Sequence, residues 1–417
     1  MIKKLTLLSL CLPFSLHASI DTSVRGYLSA KGNYYTADAE ENFGSRARAQ
    51  LEQESKFTND FVLVNQVRFT YSSLYTDVSK NQSTDDKNTR EIYLGDNYLK
   101  YKSSSWVLQT GYQDVGWGEA FGFNYADIVN PKDLRETFYT DYADSRLPLF
   151  LVNFKYFFEN GSLQLIYSPE PRFSRALPVD LFTRGVLPQT NIKTNTEDTP
   201  DFFKKHEYGG KFSTSFWGID ASIFYFSYLD RDASYVLKSA SLTNVELDET
   251  HSRVKTAGIS VASTLYDNFV FRTDIVHTQD KKINSVSGFS LLNTPVDMTN
   301  VVLSLDTPTY SSFSGVLVLA TSRLSKDLPQ AFREKNQTYS IAKVSYDLGS
   351  EKTIDLSYTH EFNENGHAVQ SLFTWPVNST LEVRVGAETY WGDQNSQLSK
   401  IKNISNVFFG IKNYFQL

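Results

Sequence analysis

Leu381-Glu382-Val383-Arg384-Val385-Gly386-Ala387-Glu388 sets Leu381, Val383, Val385 and Ala387 on one side and Glu382, Arg384 and Glu388 on the other. A period of two with one apolar and one ionic face describes a half-buried strand. The ionic face is too densely charged for the dry core of a sandwich, but it suits a wet lumen. The same pattern recurs far upstream. Arg46, Arg48, Gln50 and Glu52 oppose Ala47, Ala49 and Leu51, and Phe61, Leu63, Val67, Phe69 and Tyr71 oppose Gln66, Arg68 and Thr70.

Followed along the chain, alternation predicts strands over 21–36, 44–57, 60–75, 89–102, 105–115, 148–158, 162–169, 204–216 and 218–229. It continues over 252–265, 268–279, 297–306, 309–323, 336–348, 352–362, 367–376, 379–391 and 404–417. That is about eighteen strands, with sixteen as the alternative count. The connections sort by parity. Every second link is tight: Asn59, Ser103-Ser104, Asn160-Gly161, Trp217, Asp267, Pro308, Gly349-Ser350 and Asn378. The intervening links are mostly long, including 116–147, 170–203, 230–251 and 280–296. Short turns at one end and long loops at the other are the arrangement of an outer-membrane β-barrel with both termini in the periplasm. Lipid cannot satisfy free backbone donors, so such a sheet has to close. The final strand keeps Val407, Phe409, Ile411, Phe415 and Leu417 on one face to the last residue. It is similar to the C-terminal signal read by the barrel-insertion machinery, an expected partner together with outer-membrane lipid.

Composition agrees. The chain has 417 residues, 30 Phe, 25 Tyr, a formal charge of −6 and a mean hydropathy of −0.35. Beyond the N-terminus no apolar run approaches the ~20 residues of a membrane-spanning helix, and the acidic balance argues against nucleic acid as a partner. Residues 1–18 read as a signal peptide: Lys3-Lys4, an apolar run from Leu5 to Leu16, and Ala18 at the cleavage point. The barrel is then expected over 19–417, without the single cysteine, Cys11. A soluble all-β secreted protein is the rival class, although no propeller or solenoid period is visible.

One connection departs from the pattern. Residues 116–147 run without alternation and hold Asp127, Asn130-Pro131, Asp133, Arg135, Asp141, Asp144 and Arg146, with Phe121, Phe123, Tyr125, Phe138 and Tyr139 among them. A connection this long is usually functional or disordered, and its aromatic content argues for order. Asn130-Pro131 should fix a turn. Asp133 is placed to cap a short helical turn through Glu136. Arg135 and Arg146 can fork onto Asp127, Asp141 or Asp144. Such pairs would fold the loop into the lumen as a constriction. Direct substrate contact by Asp133, Arg135 or Arg146 is a second reading, and a calcium site from Asp127, Asp133, Asp141 and Asp144 a third.

Gly111-Tyr-Gln-Asp-Val-Gly-Trp-Gly-Glu119, Asp127-Ile-Val-Asn-Pro-Lys-Asp-Leu-Arg-Glu136, Asp144-Ser-Arg-Leu-Pro148 and Tyr167-Ser-Pro-Glu-Pro-Arg172 with Ala176-Leu-Pro178 resemble a family. It is a widespread, functionally uncharacterised group of Gram-negative outer-membrane barrels. The resemblance covers residues of about 105–180 and departs at Phe121-Gly122. It implies a porin-like barrel and a role in outer-membrane transport, sometimes beside a periplasmic or RND-type transporter.

Other chemistry is sparse. His206, His251, His277, His360 and His367 are scattered, so no metal or cofactor is expected, and no nucleophile elbow marks a hydrolase. Arg46, Arg48, Glu52, Arg68, Arg272, Asp274, Arg384 and Glu388 are the expected lumen lining. The sequence therefore points to passive transport of small solutes through a charged lumen narrowed by 116–147, and not to an enzyme. An export or envelope-lipid component with a periplasmic partner is one alternative, and a hydrolase at the barrel rim another.

Overall fold

The computed structural model describes residues 20–36, 43–73, 90–134, 145–175, 191–195, 203, 205–241, 243–287, 290–328, 331 and 333–417. Its strands in chain order are β1 (Asp21–Tyr35), β2 (Phe43–Lys56), β3 (Phe61–Ser72), β4 (Arg90–Lys102), β5 (Trp106–Gln113), β6 (Leu149–Phe158) and β7 (Gly161–Ser168). They continue as β8 (Asn191–Asn195), β9 (Glu207–Phe216), β10 (Ile219–Leu229), β11 (Ser234–Ala240), β12 (Asn244–Thr250), β13 (Arg253–Thr264) and β14 (Val270–Ser287). The last seven are β15 (Ser290–Asp306), β16 (Phe313–Leu324), β17 (Asn336–Gly349), β18 (Lys352–Glu361), β19 (Gly366–Pro376), β20 (Leu381–Gly392) and β21 (Asn406–Gln416). Three of them, β8, β11 and β12, form a small separate sheet. The other eighteen form one antiparallel wall, each paired with its neighbour in that order. The wall closes where β1 pairs with β21, from Arg25↔Gln416 to Tyr35↔Asn406. The eighteen strands expected from alternation are these eighteen.

Alternation decides what faces out. Leu28, Ile92, Ile223, Leu317 and Phe409 point away from the lumen and are half or more exposed. An apolar belt of this extent is untenable in water and marks a membrane surface. The tight turns fall where expected, although those at Asp267 and Pro308 widen to 265–269 and 307–312. Between β9 and β10, Trp217 and Gly218 take φ of 49° and 77°, the left-handed pair that a two-residue hairpin demands.

Two long links are not loops. Residues 280–296 were expected as a loop, yet β14 runs on to Ser287 and β15 begins at Ser290. A bulge between Thr278 and Lys281 marks the change of register. Beyond it Ile283, Val296 and Met298 pack against Leu324 rather than lipid. The lipid face that supplies the alternation signal has ended there. Likewise 230–251 contains the hairpin β11–β12, to which β8 adds in parallel.

Candidate functional site

After β5 the chain leaves the wall and enters the barrel. Asn130 ties the base of this insertion. Its Oδ1 accepts the Val115 N–H at 2.8 Å, and its Nδ2 donates to the carbonyls of Gln113 at 3.1 Å and Leu147 at 3.0 Å. The entering and leaving strands are thereby joined through one buried amide. Alongside, the Leu147 N–H donates to the Pro131 carbonyl at 2.8 Å and the Asp133 N–H to the Ser145 carbonyl at 2.6 Å. Lys132 and Arg146 form a β-bridge.

Charge pairs sit beside this ladder. Arg146 Nε donates to Asp127 Oδ2 at 2.9 Å and Nη1 to Asp114 Oδ2 at 3.3 Å, while Lys132 Nζ lies 3.8 Å from Asp127. Burial pushes the Asp114 carboxyl up from its ordinary value and the Lys132 amine down, each opposed by the partner named. Gly116 lies under the guanidinium, where a Cβ would stand 2.7 Å from an Arg146 nitrogen.

The tip crosses to the far wall. Trp117 is buried against Phe224 and Phe226, with ring centroids 5.5 and 6.0 Å away, and its Nε1 donates to Gln164 at 3.0 Å. Gly118 has φ +94°, which brings the backbone against Asp274 of β14. The Glu119 and Ala120 N–H groups donate to that carboxylate at 3.1 and 3.2 Å. Ala120, Phe123 and Tyr125 then join Val302, Val318 and Ala320 of β15 and β16 in an apolar cluster. Trp-Gly-Glu is thus an apolar anchor, a left-handed turn and a backbone hook.

The expected residues are placed as follows. Asp127, Asn130, Pro131 and Arg146 meet in the base of the insertion. Asp133 bridges Arg175 in extended backbone and pairs with its guanidinium at 3.5 Å; the helical turn it is expected to cap runs to Glu136, outside the described residues. With Asp127 held by Arg146 and Lys132, and Asp133 by Arg175, these two carboxylates already carry cations. Arg135, Asp141 and Asp144, together with Phe138 and Tyr139, lie outside the described residues.

Of the expected lumen residues, Arg68 donates to Gln50 at 2.8 Å, Glu52 takes Arg25 and Gln66, Arg272 pairs with Asp306, and Arg384 with Glu382 at 2.6 Å. Arg46 and Arg48 stand on the wall face opposite lipid-facing Ala47 and Leu51. Asp274 and Glu388 do not line water. Asp274 is covered by the insertion, and Glu388 by Tyr390 and Asn406, whose side chains donate to it at 2.8 and 3.5 Å. Their alternation was legible, but the cover of Asp274 comes from a segment 155 residues away and that of Glu388 from Tyr390 on its own strand and Asn406 on the next.

One buried pair has no local signal. Arg231 forks onto Glu207 at 2.9 and 2.6 Å, donates to the Val129 carbonyl at 2.8 Å, and holds the Arg172 carbonyl at 2.9 Å. It fastens the insertion to the loop after β10. Below the insertion a cavity of about 370 Å³ is lined by Lys100, Asp114, Lys155, Gln164 and Lys211 among others.

A closed wall with an apolar exterior and a charged interior has one setting. The chain is an outer-membrane β-barrel. It is similar in fold to the crystal structures of OccAB3 and OccAB4 from Acinetobacter baumannii. The TM-score is 0.56 for both, at 11% and 9% identity, covering 96% and 97% of this chain and all of each of those chains. OccAB1 of the same organism gives 0.56 at 9% identity over 95% of this chain and 97% of its own. At these identities the likeness is one of fold. No protein-family profile and no curated protein sequence matches the chain.

Proposed function

We propose that this barrel is a passive channel for small solutes, selected by size and charge where residues 114–134 and 145–148 narrow the lumen. The observation that carries the reading is the hook at Asp274. A wall carboxylate on β14 is spent on holding loop backbone across the bore, above a cavity lined by lysines and amides. Among the described residues that arrangement holds no nucleophile beside a base, which a rim hydrolase would need. We also read the chain as a member of the uncharacterised barrel family that its motifs resemble. The roles of Trp117, Gly118, Asn130 and Arg146 in seating the insertion support that reading.

The geometry suggests a clean test. A Cβ on Gly118 would stand 2.9 Å from the Ala126 Cβ, so deleting 119–125 joins two touching positions and removes only the crossing tip. Planar-bilayer recordings should show a markedly higher single-channel conductance for the deletion than for the full chain. A deletion that folds yet conducts no better would overturn the proposed constriction. Wild type that conducts nothing would overturn the channel.

A further inference from the structure

The histidines look scattered along the sequence, but strand register gathers two of them. β18 and β19 are joined by the short link 362–365, and His360 stands directly opposite His367. Trp391 of β20 is the next residue in the same row. Ile354, Leu356 and Tyr358 are exposed on the outward face of β18, and alternation carries His360 onto that face. The link lies at the end opposite the tight turns, so the row sits outside the barrel where the apolar belt meets extracellular water. All of 333–417 is described, so the strands flanking the pair, β17 and β20, are in place.

The side chains converge on one atom. His367 Nε2 lies 3.2 Å from Asn365 Oδ1, an amide oxygen that only accepts, so Nε2 carries the proton and Nδ1 keeps its lone pair. The Tyr358 hydroxyl stands 2.7 Å from that Nδ1, and His360 Nδ1 stands 3.2 Å from it. Two donors therefore share a single lone pair. Phe362 meets the His360 ring edge-on at 4.6 Å, and Trp391 stacks on the His367 ring at 5.3 Å. Both rings are packed on their outer flanks.

The spacing suits a metal ion. Two imidazole nitrogens bound at about 2.0 Å to one ion, at angles of roughly 90° to 109°, stand about 2.8–3.3 Å apart. The two Nδ1 atoms are 3.2 Å apart. An ion between them takes both nitrogens and the Tyr358 oxygen, with His360 carrying its proton on Nε2 instead, so both rings bind neutral. Asn365 then plays the outer-shell part of holding a ligating imidazole by its other nitrogen. Among the described residues no group of three His, Cys, Asp or Glu forms, so water fills the remaining positions. Imidazole suits copper, zinc and nickel, and a site with so few ligands favours copper, the tightest-binding of the divalent series.

We propose that His360, His367 and Tyr358 form a surface site for Cu(II) at the extracellular rim, on the outer side of the wall. The site lies outside the lumen and goes beyond the solute-channel reading, which could hold without it.

Electron spin resonance tests the site on the full chain without a histidine tag, in phosphatidylcholine nanodiscs, with Cu(II) as the probe. One equivalent should be taken up, and pulsed measurements should show modulation from two imidazoles. His360→Asn and His367→Asn should each lose the two-imidazole pattern. Tyr358→Phe should keep it while shifting the copper spectrum, as the loss of an oxygen ligand does. Asn365→Ala should also keep it, at an affinity lowered about tenfold, the lower end for removing an outer-shell partner. Equal Zn(II) should leave the copper in place, and displacement would overturn the choice of ion. A wild-type pattern from one imidazole or none overturns the proposal, as does a two-imidazole pattern that survives both histidine substitutions in heat-modifiable protein. Conductance without added copper is read separately, so the channel reading stands or falls on its own.

Discussion

Arg146 Nε meets Asp127 Oδ2 at 2.9 Å, and the two residues lie nineteen apart in the same connection. Asp127 is buried, and the Arg146 side chain is one-fifth exposed. Removing the guanidinium leaves a buried carboxylate with Lys132, among the described residues, 3.8 Å away. Arg146→Ala should cost about 3 kcal/mol, the lower end for breaking a buried pair. Arg146→Lys should recover part of that, since it keeps the charge but loses the fork to Asp114. The temperature at which the folded band converts on a gel measures both. Equal shifts for Ala and Lys would mean that charge is not what Asp127 requires.

Asn130 should be the most sensitive uncharged position of the insertion. Asn130→Ala strands the buried Val115 N–H and two carbonyls, at about 1–3 kcal/mol for each unsatisfied group and less than additively. Asn130→Asp should be comparably damaging, because a carboxylate keeps the acceptor but cannot donate to Gln113 and Leu147. Pro131→Ala keeps the carbonyl that accepts the Leu147 N–H and chiefly relaxes the backbone preference, so it should be milder than either. Limited proteolysis of the insertion ranks the three. If Pro131→Ala proves the worst, the turn matters more than the clamp.

Gly118→Ala places a methyl 2.9 Å from the Ala126 Cβ and 3.0 Å from Asp274 Oδ2, at a φ of +94°. Backbone strain there is on the order of 1–3 kcal/mol, and the hook on Asp274 has to move to relieve it. Single-channel traces should become noisier with a raised mean conductance. Quiet, unchanged traces would show that the crossing tip tolerates the shift.

Asp114 gives a pH signature. Burial raises its pKa above the ordinary value of 3.8 despite the pull of Arg146. The folded state therefore holds the proton more tightly than the unfolded one. Stability from this group is present below the ordinary value and lost as pH rises through the folded one. Asp114→Asn cannot ionise, so its melting temperature relative to wild type should climb between about pH 3 and pH 7, a window that opens near the ordinary carboxylate value. A difference that falls with rising pH would mean that attraction to Arg146 outweighs desolvation.

The wall was legible because its physics is local. Each strand meets lipid on one side and water or the insertion on the other, so Leu381-Glu382-Val383-Arg384 declares its faces without reference to any partner. Closure then follows from the need to satisfy an edge in hydrocarbon. The signal stopped where the lipid stopped, at Lys281–Ser287, since a strand beyond the bilayer has no apolar face to show.

Within the insertion, composition announced an ordered, charged segment, and Arg146 with Asp127 was among the pairs it allowed. It could not announce that Asp274, 155 residues from Glu119, would be used as a hook rather than as lumen lining. Nor could it announce that Arg231 would fork onto Glu207 and reach the Val129 carbonyl. Hydrogen-bond partners over such separations are chosen by which wall strands the closed barrel brings opposite the loop. Alternation fixes the side a residue faces, and only the tertiary structure decides whether that side is filled with water or with backbone.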